Sequence, residues 1–527
     1  HSAFCSFFLH LWPMSLINTA YLLYNNRLIK ELDLSSRQPE LFQDKLLRYL
    51  LTHGQQTAFG KEFGLNEILS ISDFQQHVPL HTYDRLEPYL LRSLKGEDNV
   101  LWDKKIYWFA LSSGTSSAKS KFIPINWENL HYCHYKGMLT QLSSYVRTFP
   151  QSGLFRGRSL TLGGNRHIDK KVDTSYYFGD LSAFLLINKP QISRSFTTPP
   201  REIALMTDFE AKIEAVSDLI LKQNVVSFSG VPSWNLILMR KVLEKSGKEH
   251  LHQVWPKMEL FMHGGISFEP YRSQYKELFP LDTMHYLETY NASEGFFAFQ
   301  TDLSDGGLQL TVNNGVFYEF IPLDKLEQAL NGSYVAFDTI GTVSTGKTYA
   351  MVITTNSGLW RYLIGDTVRF TSLYPHKIKI TGRTKLFINA FGEELMIENA
   401  EKALAETCEK TGSAVNEYTV APVFMEGNGK GAHQWLIEFE KAPEDTDLFV
   451  RLLDSAIMEH NSDYEAKRLH TGTMDSPHVV ILNKGCFYKW MAQENRLGGQ
   501  SKVPRLWGTR QYVETLLKIN EQLNDRK

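Results

Sequence analysis

Cysteine is scarce in this chain: four residues in 527, at positions 5, 133, 408 and 486, too far apart for any metal-ligand spacing. That excludes a disulfide-stapled scaffold and a zinc ribbon, and it reads as the buried, reduced thiols of a cytoplasmic protein. Charge of one sign is also missing. Lys and Arg number 56 against 58 Asp and Glu, for a formal net charge of -2, and the basic residues form no runs. Nothing here attracts nucleic acid or an anionic membrane, so neither is expected as a partner. A membrane span needs about 20 apolar residues. The most apolar stretch, near the N-terminus, is interrupted by His10, Pro13, Ser15 and Asn18. It has no basic lead-in and no small-residue cleavage site, so it is not a secretory signal. Met14 is read as the natural initiator and residues 1–13 as extraneous. Internal repeats and low-complexity tracts are absent.

The chain does have length and pattern. At 527 residues it exceeds what one core supports, which predicts two or more domains. Residues 14–100 read as helical: Ile17–Leu32 and Pro39–Leu51 place apolar residues at spacings of three and four, with Pro39 suited to a first turn. From 101 onward, short apolar segments (Ile106–Leu111, Ser159–Leu162, Val225–Ser229, Glu259–Met262, His285–Tyr290) alternate with amphipathic ones, the grammar of an α/β domain. Thr207-Asp208-Phe209-Glu210 reads as a capping box for a helix over 207–222. Residues 308–370 predict antiparallel pairs. Leu308–Val312 and Val316–Ile321 flank the turn Asn313-Asn314-Gly315, and Tyr334–Phe337 faces Tyr349–Thr354. Beyond Gly382 the pattern resets into a small α+β unit with helices at 396–410, 446–459 and 510–523 and strands near 416–424, 434–440 and 477–482. The expected domains are therefore 14–382 and 383–527, meeting at Arg383.

Three stretches carry candidate chemistry. In the first, an apolar lead-in ends in Ser112-Ser113-Gly114-Thr115-Ser116-Ser117, followed by Lys119 and Lys121. Small residues let successive backbone N–H groups form an anion-binding nest, and lysines add point charges suited to phosphate. An ordinary Ser/Gly turn between strands is the plain alternative. The second, Tyr290-Asn291-Ala292-Ser293-Glu294-Gly295, sets a carboxylate in a small-residue turn after a strand, where it can coordinate Mg²⁺ already held by phosphate; a solvated loop Glu is the alternative. The third, Leu359-Trp360-Arg361-Tyr362-Leu363-Ile364-Gly365-Asp366, ends in an Asp able to accept both ribose hydroxyls or, just as readily, to satisfy its own turn. A fourth stretch misleads: Gly341-Thr342-Val343-Ser344-Thr345-Gly346-Lys347-Thr348 matches the P-loop pattern. That pattern requires a helix to begin at the Lys, whereas Tyr349–Thr355 is strand-like, so it is read as a turn. Among the histidines, only His263, before Gly264-Gly265 at a strand end, stands out.

The order of the first three stretches, followed by a change of domain, resembles the adenylate-forming superfamily of acyl-CoA synthetases, luciferases and peptide synthetase adenylation domains. More closely, it is similar to the Gretchen Hagen (auxin-responsive) family of acyl acid–amido synthetases, in a form drifted toward bacterial relatives. The likeness extends to Thr57-Ala58-Phe59-Gly60, Ser229–Trp234, Gly264-Gly265, Phe317–Pro322 and Gln500–Arg505. The resemblance implies a luciferase-like α/β architecture: a large N-terminal mixed α/β domain with a β-barrel-like portion, and a smaller, mobile α+β C-terminal domain. It also implies roles. Ser112, Ser113, Gly114, Thr115 and Lys121 would hold the ATP phosphates, while Tyr290, Asn291 and Ala292 line adenine. Glu294 would take Mg²⁺, Asp366 the ribose, and Arg383 the hinge. Lys502 would be a mobile C-terminal lysine near the acyl phosphate. Val231, Trp234 and Phe299 are candidates for an acyl pocket suited to an aromatic or apolar acid. Three departures stand beside the match. The second stretch reads Asn-Ala-Ser-Glu where plant relatives have Ala-Ser-Ser-Glu, and the third carries an extra residue at Leu363-Ile364. Around Phe391–Glu394 the lysine of plant members is missing. The implied reaction uses ATP and Mg²⁺ to adenylate a carboxylic acid and passes the acyl group to an amino acid, in a monomer. The alternatives are an acyl-CoA ligase, a P-loop NTPase using Gly341–Thr348, and a nucleotide-binding regulator without turnover.

Overall fold

A computed structural model describes residues 16–112, 121–163, 177–189, 191–206, 208–265, 268, 272–384, 387–393, 395–425, 429–470, 473–493 and 505–524. The N-terminal helices Leu16–Tyr24, Asn26–Arg37 and Pro39–Gly54 cover one side of the main core. Ile17–Leu32 is two helices rather than one, because the chain turns at Asn25, whose side chain donates to the Tyr21 carbonyl at 3.0 Å. Thr57-Ala58-Phe59-Gly60 has a packing role. Thr57 caps a short helix by accepting from the Gly60 N–H at 2.9 Å, and Phe59 stacks 5.7 Å from the fully buried Trp360. A Cβ at Gly54 would lie 2.3 Å from the Trp360 ring, so the helix must end in glycine there.

The spine is one sheet of twelve strands. Its parallel part runs Thr197–Thr198, Arg158–Thr161, Val225–Gly230, Leu260–His263 and His285–Ala292. At His285–Ala292 the pairing changes hand: the strand is parallel to Leu260–His263 and antiparallel to Gly295–Gln300. The antiparallel part continues through Leu308–Leu310, His376–Arg383, Tyr362–Leu373, Thr348–Thr355, Val316–Pro322 and Asp338–Thr339. A separate three-stranded sheet joins Trp108–Ser112 to Lys121–Ile125 and Tyr177–Gly179.

Both predicted hairpins are corrected. Leu308–Leu310 pairs with Gly295–Gln300 and His376–Arg383, while Val316–Pro322 pairs elsewhere in the sheet. The reason is burial of the turn. Asn314 is 1% exposed and donates to the Phe296 carbonyl at 2.6 Å, while Gly315, with φ +83°, backs onto Asn356. The turn therefore carries the chain across the sheet instead of folding it on itself. Tyr334–Phe337 lies outside the strands, and Thr348–Thr355 pairs with Val316–Pro322 and Tyr362–Leu373. The helix Phe209–Ile220 is capped by Asp208, which accepts from the Ala211 N–H at 2.9 Å, so the cap falls one residue later than expected; Thr207 lies outside the described residues.

The C-terminal part follows its sequence pattern closely. Strands Ala414–Val423, Ala432–Lys441 and His478–Leu482 form a sheet backed by helices Ile397–Thr411, Thr446–His460 and Gln511–Asn524. Its fully apolar clusters draw their buried members from Ile388 onward, and Phe424 also packs against the core beneath the parallel strands. Cys133 and Cys486 are buried free thiols, Cys408 is half-buried, and Cys5 lies outside the described residues. No described helix is long and apolar enough to cross a membrane.

Candidate functional site

Ligands of open α/β sheets gather at the carboxyl ends of the parallel strands. Here the strand that ends in the second motif is also the one where the sheet changes from parallel to antiparallel. The strand bulges between Tyr290 and Asn291, and a bulge re-aims the side chains around it. Tyr290, 7% exposed, packs edge-on to Phe297 and its hydroxyl donates a hydrogen bond to Asp366 Oδ2. Asn291 meets His134 instead, its Oδ1 2.9 Å from His134 Nδ1. Ala292 closes the strand, and Glu294 follows in the turn to Gly295–Gln300, only 6% exposed. A buried carboxylate is a hard oxygen donor of the kind Mg²⁺ takes.

Asp366 owes its position to a second irregularity. Ile364, Gly365 and Asp366 lie opposite the single residue Met351, since Leu363 pairs with Val352 and Thr367 with Ala350. The extra residue noted at Leu363-Ile364 belongs to this bulge, which lifts the Asp out of the ladder with Thr348–Thr355. Gly365, at φ +97°, makes the bend without a Cβ penalty. Across the sheet Asp366 pairs with Arg383, the last residue of its strand; the Arg383 side chain lies outside the described residues.

The first motif enters through the strand Trp108–Ser112 and leaves through Lys121–Ile125, with Ser112 and Lys121 as cross-strand partners. Ser113, Gly114 and Thr115 lie outside the described residues, as does the Ser112 side chain. Lys121 is 4% exposed. Its Nζ donates to the Tyr362 hydroxyl at 3.3 Å and sits 5.7 Å from the Tyr83 ring centre. Tyr83 also accepts from the Phe122 N–H at 3.0 Å. The exit of the first loop is thus fastened to the start of the third motif, and Tyr290 fastens the second motif to its end.

Other expected residues separate. Arg361 is fully buried, with φ +41°, and forms a two-pronged ion pair with Glu319 at 2.9 Å on each prong. It also donates to the carbonyls of Gln75, Val78 and Val335. It is architecture, not a ligand. Phe299 is fully buried in the main apolar cluster. Val231 is half-buried before the helix Pro232–Ser246 and lies 3.4 Å from where a Cβ on Gly265 would stand. The side chain of Trp234, and Lys502 entirely, lie outside the described residues. His263 is 3% exposed and stacked 4.2 Å from Phe268. The P-loop look-alike is an exposed turn at Lys347 that runs straight into the strand Thr348–Thr355, as expected of a coincidental match. Sequence reasoning missed Tyr83, His134 and Glu319. Their signal was weak because each acts through a partner more than 30 residues away.

The two-part sheet carries a carboxylate-bearing turn at its change of hand and a bulged Asp tied to that strand through Tyr290, an arrangement that fits the adenylate-forming class of ligase. Models of three GH3 domains match the chain: the N-terminal domain over residues 28–168 and 152–284, the central domain over 309–383 and the C-terminal domain over 398–511. The chain belongs to the GH3 family of acyl acid–amido synthetases. Among curated relatives, the indole-3-acetic acid-amido synthetase GH3.2 of Arabidopsis thaliana is 24% identical over 74% of this chain and 83% of its own length. The jasmonoyl–L-amino acid synthetase GH3.5 of Oryza sativa subsp. japonica is 24% identical over 90% of this chain and 94% of its own. The structure of the GH3.15 acyl acid amido synthetase with 2,4-DB shares the fold, with a TM-score of 0.59 at 18% identity, covering 95% of this chain and 96% of that one. A 2-hydroxyisobutyryl-CoA ligase also shares it, with a TM-score of 0.54 at 12% identity over 93% and 94%.

Proposed function

We propose that this chain uses ATP and Mg²⁺ to convert a carboxylic acid into an acyl-adenylate and then transfers the acyl group to the amine of an amino acid, releasing AMP and pyrophosphate. The supporting observation is the double fastening of the third motif: Lys121 on Tyr362 at one end and Tyr290 on Asp366 at the other. Those contacts link members of the three separated stretches to one another.

A carboxylate acylates poorly because its leaving group would be oxide. Attack on the ATP α-phosphorus expels pyrophosphate and leaves a mixed anhydride with AMP, from which an amine displaces AMP. The protein's part in the first step is to hold nucleophile and phosphorus in line and to stabilise charge growing on phosphate oxygens. The Ser112–Lys121 segment supplies donors for the phosphates, and Asp366 accepts from the ribose. Glu294 would hold Mg²⁺, whose chemistry is charge neutralisation at the phosphates. Tyr290, Asn291 and Ala292 form the base side. The small unit, residues 383–527, turns about Arg383 between the two steps, with Lys502 near the acyl phosphate, and Val231 and Trp234 face the acid. We read the enzyme as a cytoplasmic monomer acting on small molecules, a location in keeping with its few, scattered cysteines.

The test is pyrophosphate release from a panel of carboxylic acids, followed by mass spectrometry of products formed with pooled amino acids. Amide products support the reading; thioesters formed with coenzyme A, and no amides, move it to the acyl-CoA ligase alternative. Ser113→Ala with Thr115→Ala lowers pyrophosphate release about a thousandfold, since each donor to a charged oxygen is worth about 2 kcal/mol or more. Wild-type rates in that double variant sink the phosphate-loop role.

A further inference from the structure

His134 occupies a π-helical turn, Leu130–Tyr135, inserted between the helices Trp127–Asn129 and Lys136–Thr148. Such wide turns are rare and concentrate where a side chain must be aimed. The His134 side chain is completely buried, and among the described residues its Nε2 has no hydrogen-bond partner. Its Nδ1 lies 2.9 Å from Asn291 Oδ1. Burial keeps the ring neutral, holding its pKa down at about 4.

A neutral imidazole has one N–H, and its placement here is decided by what each choice would orphan. On Nε2 it would be a buried donor with nothing to donate to. On Nδ1 it meets Asn291, and only an acceptor lone pair goes unused, the lesser penalty. The Nδ1–H tautomer therefore donates to Asn291 Oδ1, which fixes the sense of that amide: oxygen toward His134, NH₂ turned away from it. Asn291 is half-buried and directly follows Tyr290, whose hydroxyl reaches the ribose-side Asp366.

We propose that His134 is a positioning residue for the nucleotide base: it locks the Asn291 amide so that the NH₂ group donates to a ring-nitrogen acceptor of adenine. The inference rests on the reading of Tyr290–Ala292 as the adenine lining.

The experiment is ATP–pyrophosphate exchange by the full chain, reporting KM for ATP, KM for the acid and kcat. Asn291→Ala raises KM for ATP about tenfold, the weight of one such hydrogen bond. Asn291→Asp keeps the acceptor that His134 needs but removes the NH₂, and it raises KM for ATP as much. His134→Phe raises KM for ATP by a similar factor, with kcat and KM for the acid within about twofold. His134→Asn, whose amide nitrogen can stand where Nδ1 stands, restores most of the loss. If His134→Phe fails to fold, His134→Leu, which also lacks a donor at the Nδ1 position, takes its place with the same expected and overturning results. An unchanged KM for ATP in Asn291→Ala and Asn291→Asp removes the adenine reading and this inference together. A raised KM in those variants with wild-type values in His134→Phe overturns the role of His134 alone. A shift in KM for the acid in place of ATP overturns both and moves the pair to the acyl side of the cleft.

Discussion

Arg361 and Asp366 stand five residues apart on one segment, and the surroundings of the two differ in kind. Arg361 is fully buried against Glu319, itself 1% exposed, and its guanidinium spreads over two carboxylate oxygens and three backbone carbonyls. Gln75 adds a donor to Glu319 at 3.0 Å and ties the pair to the N-terminal helices. Asp366 sits half-buried on a bulge, held by a tyrosine hydroxyl that a ribose hydroxyl can replace. A charge whose donors and acceptors are all matched inside the protein carries the fold. A charge lifted by a bulge out of its pairing with Thr348–Thr355 suits binding, the role proposed for Asp366. An Arg and an Asp in one motif therefore do different jobs.

The first way to break this contrast is Glu319→Ala, which strands the Arg361 charge in the core. The expected loss is about 3–5 kcal/mol of unfolding free energy, read by urea denaturation of the full chain. Glu319→Leu with Arg361→Met loses much less, because no charge is left unpaired. A loss below about 1 kcal/mol for Glu319→Ala would show that water reaches the pair.

Acid sharpens the comparison, because each region holds a buried neutral histidine. His81 lies between Phe59 and Phe63, its ring 5.3 and 5.6 Å from theirs, and its backbone brackets Arg361; His134 lies against Asn291 of the second motif. Burial, the larger cause in both, lowers each from 6.5 to about 4. Above pH 6.5 both are neutral, folded or unfolded, and their burial is free of charge repulsion or desolvation. As pH falls through 6.5 toward 4 the unfolded chain binds protons that the folded one refuses, so stability drops, by at most on the order of 3 kcal/mol per histidine. Urea midpoints measured from pH 7 to 4 should decline, and His81→Gln should flatten part of the slope. An identical slope in that variant would remove His81 as a source.

The sequence made the strands of the parallel half, the small unit and the three motifs legible, because each is local: an apolar run, a Gly-bounded turn, a capping pattern. Pairing was less legible. Asn313-Asn314-Gly315 has hairpin composition, but it is buried against Phe296 and Asn356, and contacts that distant do not show in a local pattern. The phosphate, ribose and metal candidates were read from motif order, yet how they are fastened together was not. Lys121 on Tyr362 spans 241 positions and His134 on Asn291 spans 157. The bulge at Tyr290/Asn291 was hidden, since a slip in register leaves no mark on composition, and the one before Asp366 showed only as the extra residue at Leu363-Ile364.

Asp366→Ala tests the other half of the contrast. It should leave the urea midpoint close to wild type, because the residue is half-buried on a bulge. ATP affinity should fall about 10- to 100-fold, the weight of one or two hydrogen bonds to an ionised acceptor. Isothermal titration with ATP decides it. Unchanged affinity would make Asp366 a turn residue satisfied by its own strand. A collapse in stability would place it with Arg361.

The smallest effect belongs to Lys347→Ala, and a near-zero result is informative because the surrounding pattern argues the opposite. A P-loop lysine works only from the first turn of a helix whose N-terminus faces phosphate. Here Gly346 turns at φ +82°, Lys347 is exposed, and Thr348 already pairs with Arg369 in the sheet. The side chain therefore has no helix dipole behind it and no loop of N–H groups beside it. Pyrophosphate release and KM for ATP should stay within about twofold of wild type, since exposed substitutions away from a site change little. A hundredfold loss would instead put the nucleotide at the antiparallel edge and take from Tyr290, Glu294 and Asp366 the role proposed for them.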